Sequence, residues 1–258
     1  MKYELGPLEA KLVFTLEKKG ATLFNITDAK KILGCSEKVL RVVLWRLTSK
    51  GRIQRVKRGH YLLIPAKAGY KTKWSEHVFA FIDALLDEYY VGYWTALSYW
   101  GMTEQIPRTF FVATKKRRRN FNYEAVFIRF VTISPHKFFG WTTETIGEQE
   151  FRISDREKTI VDSLDLPQHV GGVLEAVKGL AQDLDWNRVV EYTDKLRNRT
   201  VYKRLGYLVE TLGLEPPTGI VERLQRNISL GYSWLDPTAP KKVIKTNSRW
   251  RLKININI

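Results

Sequence analysis

The chain has 258 residues, 44% of them apolar and 12% aromatic, which suits packed cores and excludes disorder as the default state. Its 43 Lys and Arg against 27 Asp and Glu leave a charge of +16, so the expected partner is a polyanion, either nucleic acid or an anionic membrane surface. No apolar run approaches the roughly 20 residues of a membrane span, and a lone cysteine, Cys35, rules out an internal disulfide framework.

The N-terminal MKYELGPLEAKL has acids among its apolar residues and does not read as a signal peptide, so a cytoplasmic protein is expected. Residues 1–65 hold 14 basic and 5 acidic side chains, more than half of the net excess in a quarter of the length. Leu8, Leu12 and Leu16 recur every four residues, which predicts a first helix over 6–19 with Pro7 in its first turn and Gly20 behind it. Phe24, Asn25 and Ile26 read as a short extended link. Thr27 is the predicted cap of a second helix that stops at Gly34. Cys35 reads as a small buried residue at the turn rather than a thiol sensor. Ser36 caps a third helix that runs to Lys50 and stops at Gly51. A short helix, a Gly turn and a longer helix form the helix-turn-helix pattern.

On the third helix Leu40, Val43, Leu44 and Leu47 share one face. Lys38, Val42, Trp45 and Ser49 share the opposite one, flanked by Arg41 and Arg46. Such a face suits a DNA major groove, because Arg bonds bidentately to a guanine edge and Val or Trp meets a thymine methyl. The Ser36 end adds helix N-terminal N–H groups that favour phosphate. Trp45 has an alternative role as an anchor against the next element. That element is a β-hairpin, predicted from 52–56 and 60–64 around Lys57-Arg58-Gly59. As the wing of a winged helix it would carry Lys57, Arg58 and His60 to phosphates or a minor groove. The candidate DNA contacts are thus Ser36, Lys38, Arg41, Val42, Trp45, Arg46, Lys57, Arg58 and His60. A winged module used for protein contacts is the alternative.

Residues 66–73, rich in Lys, Gly and Ala, read as a linker between a domain at 1–65 and a larger one at 74–258. Trp74 opens a helix through Val78, Phe81, Ile82, Leu85 and Leu86, and a second is expected over 95–99. Strands are predicted at 109–113, 126–133 and 151–153. Helices follow at 155–165, 170–183, 186–195, 200–212 and 218–227, and extended segments return at 233–235 and 250–254. The expected fold class is α+β, a winged helix-turn-helix followed by a larger α+β domain with a helical second half.

Three stretches carry a family resemblance: YVGYWTALSYWGMTEQIPRTFFVATKK at 90–116, ISDREKTIVDSLDLPQHVGGVLEAVKGL at 153–180, and LDPTAPKKVIKTNSRWRLKIN at 235–255. They resemble the AbiEi antitoxin family, in which a winged helix-turn-helix precedes an antitoxin domain. The resemblance implies a transcriptional autorepressor and antitoxin of a type IV toxin–antitoxin operon used in abortive infection of phage. It implies two partners. One is operator DNA, with inverted repeats upstream of the chain's own gene and two copies on two half-sites. The other is a nucleotidyltransferase-like toxin, countered without a stable complex. The competing class is a nucleic-acid-processing enzyme, a nuclease or nucleotidyltransferase, targeted by its winged helix.

Lys115, Lys116, Arg117, Arg118 and Arg119 form the densest basic run, placed by the family pattern in a loop between strands. It reads as a grip on DNA beside the operator or on RNA, with a solvated loop as the alternative. Phe121 and Tyr123 read as core aromatics of a strand rather than base-stacking platforms. Arg197, Arg199, Lys203 and Arg204, and further on Arg223 and Arg226, read as solvated helical faces. Ser154 to Glu157 fits a capping box, and Asp162, Asp165, Asp183 and Asp185 read as structural. His60, His77, His136 and His169 have no metal-ligand spacing, and no Gly-rich phosphate loop is present. No catalytic group, metal or cofactor is therefore expected.

Overall fold

The computed structural model describes residues 4–21, 23–64, 75–123, 126–146 and 149–258. The fold is α+β and divides into two compact units, Met1–Asp87 and Glu88–Ile258. Among the described residues no helix is long and apolar enough to cross a membrane.

The first unit opens with α1 (Pro7–Lys18), where Glu9 Oε2 accepts the Gly6 N–H at 2.9 Å and Lys50 Nζ at 2.5 Å. β1 (Leu23–Asn25) leads directly into α2 (Ile26–Leu33). The cap of α2 is Asn25, not Thr27. Its Oδ1 accepts the Asp28 N–H at 2.9 Å, and Asp28 Oδ2 accepts the Asn25 N–H at 3.0 Å. This reciprocal box starts the helix at the last residue of the strand, two positions before the expected cap. Gly34 ends α2 at φ 65°, a left-handed conformation that glycine adopts without steric cost. α3 (Glu37–Ser49) begins at Ser36 as expected, with its Oγ accepting from the Val39 N–H at 3.5 Å.

β2 (Ile53–Lys57) and β3 (His60–Leu63) form the expected hairpin. β1 pairs antiparallel with β3, giving a sheet in the order β1-β3-β2. The Ile26 N–H donates to the Gly59 carbonyl at 3.0 Å, tying the hairpin turn to the start of α2. Leu12, Val13, Leu16, Phe24, Ala29, Leu33, Ile53 and Leu63 form one core with the inward leucines and Val43 of α3. The expected linker at 66–73 and the helix start at Trp74 lie outside the described residues. α4 (Ser75–Leu85) belongs to the first unit by its packing, which includes contacts with β1.

The second unit is built on a mixed six-stranded sheet. Its strands are β4 (Tyr90–Val91), β5 (Thr109–Thr114), β6 (Phe121–Tyr123), β7 (Val126–Thr132), β8 (Trp141–Ile146) and β9 (Gln149–Ser154), in the order β6-β7-β5-β4-β9-β8. β5 runs parallel to β7 and β4 parallel to β9; the other pairs are antiparallel. The edge strand β8 escapes sequence reading because its residues, WTTETI, are exposed or half-buried throughout. α5 (Tyr93–Tyr99) follows β4. α6 (Arg156–Asp165), α7 (Val173–Leu180), α8 (Trp186–Leu196), α9 (Arg199–Thr211) and α10 (Ile220–Arg226) make the helical second half. β10 (Ser233–Trp234), β12 (Leu252–Ile254) and β11 (Lys245–Asn247) pair in that order in a small sheet.

Two readings of this unit are corrected. The cap of α6 is Asp155, whose Oδ1 accepts the Lys158 N–H at 2.7 Å, rather than Ser154. Ser154 Oγ bonds Thr159 Oγ1 at 2.7 Å instead, and Glu157 accepts the Asp185 N–H at 3.0 Å rather than bonding back. Nor are Lys203 and Arg204 solvated. Both are buried on α9, where Lys203 donates to Gly231 O and Ser233 Oγ and Arg204 donates to the carbonyls of Leu235, Leu164 and Trp234. They satisfy carbonyls of α6 and of the segment from Gly231 to Leu235, which makes their charge a local necessity rather than a surface feature.

Candidate nucleic-acid interface

α3 is held by its leucines. Leu40, Val43, Leu44 and Leu47 are buried, and their spacing leaves the other side of the helix outward. At its far end Lys50 Nζ bonds Glu9 at 2.5 Å and the Glu4 carbonyl at 2.6 Å, and just beyond it Arg52 pairs with Glu17 at 3.2 Å. Burial pushes the Glu9 carboxyl up, but Lys50, the Gly6 N–H and Arg46 outweigh it and hold the group below its ordinary range. These two cations are therefore engaged in fastening α3 and its exit to α1.

The outward cations differ. Ser36, Lys38, Arg41, Val42, Trp45 and Arg46 are all exposed, as the periodicity predicts. Trp45 is 69% exposed, so the alternative of a partly buried anchor does not apply. Glu37 draws Arg41 to 3.8 Å and Lys30 to 3.7 Å, but these are open pairs that hold little energy and release readily. Lys38 and Arg46 join no ion pair among the described residues. They rim an open, largely apolar cleft of about 510 Å³, floored by Val39, Val42 and Val43 and closed by Gly6 to Glu9 of α1. The arrangement offers methyl and indole surface beside exposed guanidinium groups, which is the chemistry needed to meet base edges and phosphates.

At the hairpin tip Arg58 is exposed. His60 Nδ1 lies 3.3 Å from the Arg58 carbonyl, so one ring nitrogen is turned back onto the turn. The Lys57 backbone pairs with His60, while its side chain lies outside the described residues.

In the second unit the basic run occupies the loop between β5 and β6, as expected. Lys115 is set apart from it: its ammonium bonds Glu88 and lies 5.0 Å from the centre of the Phe138 ring. Lys116, Arg117, Arg118 and Arg119 are exposed. Phe121 packs against Phe130 at 5.9 Å, consistent with a core role. Asp185 caps α8, and among the described residues no group of three His, Cys, Asp or Glu is placed to hold a metal.

Sequence reasoning passed over one polar cluster. Lys158 bonds Asp162 one turn later on α6, and the Tyr90 hydroxyl donates to Asp162 at 2.8 Å. All three are buried. Burial pushes Asp162 above the usual carboxylate range although Lys158 and Tyr90 both favour its charge. The i, i+4 Lys–Asp spacing was the visible signal, but the same spacing is common on solvated helices.

No protein-family model matches the chain, and no curated protein matches it. Among solved structures, the RV2827C protein from Mycobacterium tuberculosis is similar in fold, with a TM-score of 0.72 over 98% of this chain and 93% of that one. The two sequences are 12% identical, so the likeness is one of fold.

Proposed function

We propose that the first unit is a winged helix-turn-helix that reads duplex DNA, and that the chain is a transcriptional repressor of the AbiEi antitoxin type. The observation that carries this reading is the division of α3. Its leucines are buried, while Lys38, Arg41, Val42, Trp45 and Arg46 are all exposed on the outward side. In this reading α3 lies in the major groove, with Arg41 and Arg46 at guanine edges and Val42 and Trp45 against thymine methyls. Lys57, Arg58 and His60 at the hairpin tip follow the phosphates or the minor groove. Two copies on the half-sites of an inverted repeat upstream of its own gene would produce autorepression. The antitoxin role of the second unit, against a nucleotidyltransferase-like toxin, rests on the resemblance of 90–116, 153–180 and 235–255. The protein acts by binding in this reading, as a cytoplasmic regulator without a cofactor.

The test is a gel shift on the DNA upstream of its gene. Arg41→Ala and Arg46→Ala should each weaken binding by roughly 5- to 150-fold, the effect of losing a bidentate base contact of about 1–3 kcal/mol. If both variants shift that DNA as well as the parent does, α3 is not the reading helix.

A further inference from the structure

The large sheet of the second unit presents an exposed strip that takes no part in the reading above. On β7, Phe127 and Arg129 alternate with the buried Ile128 and Phe130, so both face one side, about 6–7 Å apart along the strand. Register sets Phe127 beside Thr109 and Arg129 beside Phe111 of β5, with Asn122 of the edge strand β6 opposite Phe127. Phe127 is 37% exposed, and Arg129 is exposed as well.

Beneath this strip lies an unusual polar group. The Arg129 guanidinium sits 6.0 Å over the Phe111 ring, and His169 meets the same ring at 5.8 Å and Tyr93 edge-on at 5.2 Å. Burial, with Arg129 adding to it, holds His169 down to about 4, so the ring is neutral at pH 7. Tyr93 itself has a φ of 56°, a costly conformation for an aromatic residue that the surrounding core must enforce. In this unit, among the described residues, the buried side-chain nitrogens lacking a hydrogen-bond partner are His169 Nδ1 and Trp94 Nε1. Trp94 lies against Gly171, two residues after His169, where an added Cβ would meet its ring at 3.0 Å. Unsatisfied buried nitrogens are rare in native proteins, and each calls for a reason.

Cations bracket the strip. At one end the Arg108 carbonyl accepts the Phe127 N–H at 3.1 Å, which places Arg108 beside the start of β7. At the other end Asn120 Oδ1 accepts the Phe130 N–H at 2.9 Å and so fastens the Lys116–Arg119 loop next to the strand. Among the described residues, Arg108, Arg129 and Lys116 to Arg119 join no ion pair; Lys115, with Glu88, is the paired member of the run.

We propose that this face binds single-stranded nucleic acid, with bases stacked on Phe127 and on the Arg129 guanidinium while Arg108 and the Lys116–Arg119 loop hold the backbone on either side. An exposed aromatic and a guanidinium plane on neighbouring sheet positions offer π-faces to unpaired bases and are of no use to a duplex, whose bases are already stacked. The inference stands apart from the repressor reading, because it uses none of the residues of α3.

Anisotropy titrations of the full chain with labelled 12-nucleotide oligo(U), oligo(dT) and an unrelated 12-base-pair duplex provide the test. At least one single strand should bind more tightly than the duplex. Phe127→Ala and Arg129→Gln should each weaken that binding about tenfold and leave duplex binding unchanged. Arg117→Ala should flatten the slope of log K against log salt by about 0.7. The proposal is overturned if the duplex binds as tightly as both single strands. It is equally overturned if Arg129→Gln binds single strands like the parent while Arg41→Ala loses them. The comparison of strands uses the unaltered chain, so it stands even if Phe127→Ala folds poorly.

Discussion

Lys158 lies on a helix with no access to water, and its charge is compensated by Asp162 and the Tyr90 hydroxyl. A buried pair of this kind contributes little net stability over an apolar pair, yet removing one partner strands the other charge. Asp162→Asn should therefore cost about 3–5 kcal/mol of unfolding free energy, read as a lowered urea midpoint. Lys158→Met combined with Asp162→Leu should recover much of that loss. If the single variant melts like the parent, the pair is not the buried contact described here. Residue-scale legibility was uneven for the same reason. Arg41 and Arg46 were readable because helical period alone turns them outward, whereas Trp45 stayed open between a base contact and an anchor against the hairpin until its 69% exposure decided it. Lys203 and Arg204 were not, because the carbonyls they satisfy at 231, 234, 235 and 164 come from distant parts of the chain.

At the scale of elements, α6 shows how far local pattern reaches. Its sequence, REKTIVDSLD, is as polar as a surface helix, yet every residue from Glu157 to Asp165 is buried. Its buried polar groups find partners: Thr159 with Ser154, Ser163 with the Thr159 carbonyl, Asp165 with Lys137 and Asn198. Its bounds were legible from capping chemistry and period, but its central position was not. α9 makes the converse point through close approach. A Cβ added to Gly206 would fall 2.1 Å from the Trp250 ring, which is fully buried and donates from Nε1 to Glu210 at 2.6 Å. Gly206→Ala should thus destabilise the second unit by at least about 1–3 kcal/mol, the range for overpacking a tight core, although alanine is the better helix former. A variant with an unchanged or raised melting temperature would show that Trp250 yields easily.

For the whole molecule, charge is the property that composition states most directly. The excess of +16 favours a polyanion, and Lys38, Arg41, Arg46, Lys57 and Arg58 are the candidate contacts of the first unit. If Lys38, Lys57 and Arg58 meet phosphates while Arg41 and Arg46 read bases, log K for duplex DNA should fall against log salt with a slope of about −2 to −3 per copy. Affinity would then drop by roughly 15- to 60-fold between 50 and 200 mM salt. A slope shallower than about −1 would exclude an electrostatic docking of this kind. Sequence alone determined α1 to α3, the face that α3 turns outward, the hairpin and the order of helices in the second half, because turn glycines and hydrophobic period act over a few residues. Only the tertiary structure decided the parallel pairing of β5 with β7, the burial of α6 and the clustering of Tyr93, Phe111, Arg129 and His169 on one sheet face. Those features depend on which distant segments meet, and a one-dimensional pattern of residues carries no term for that.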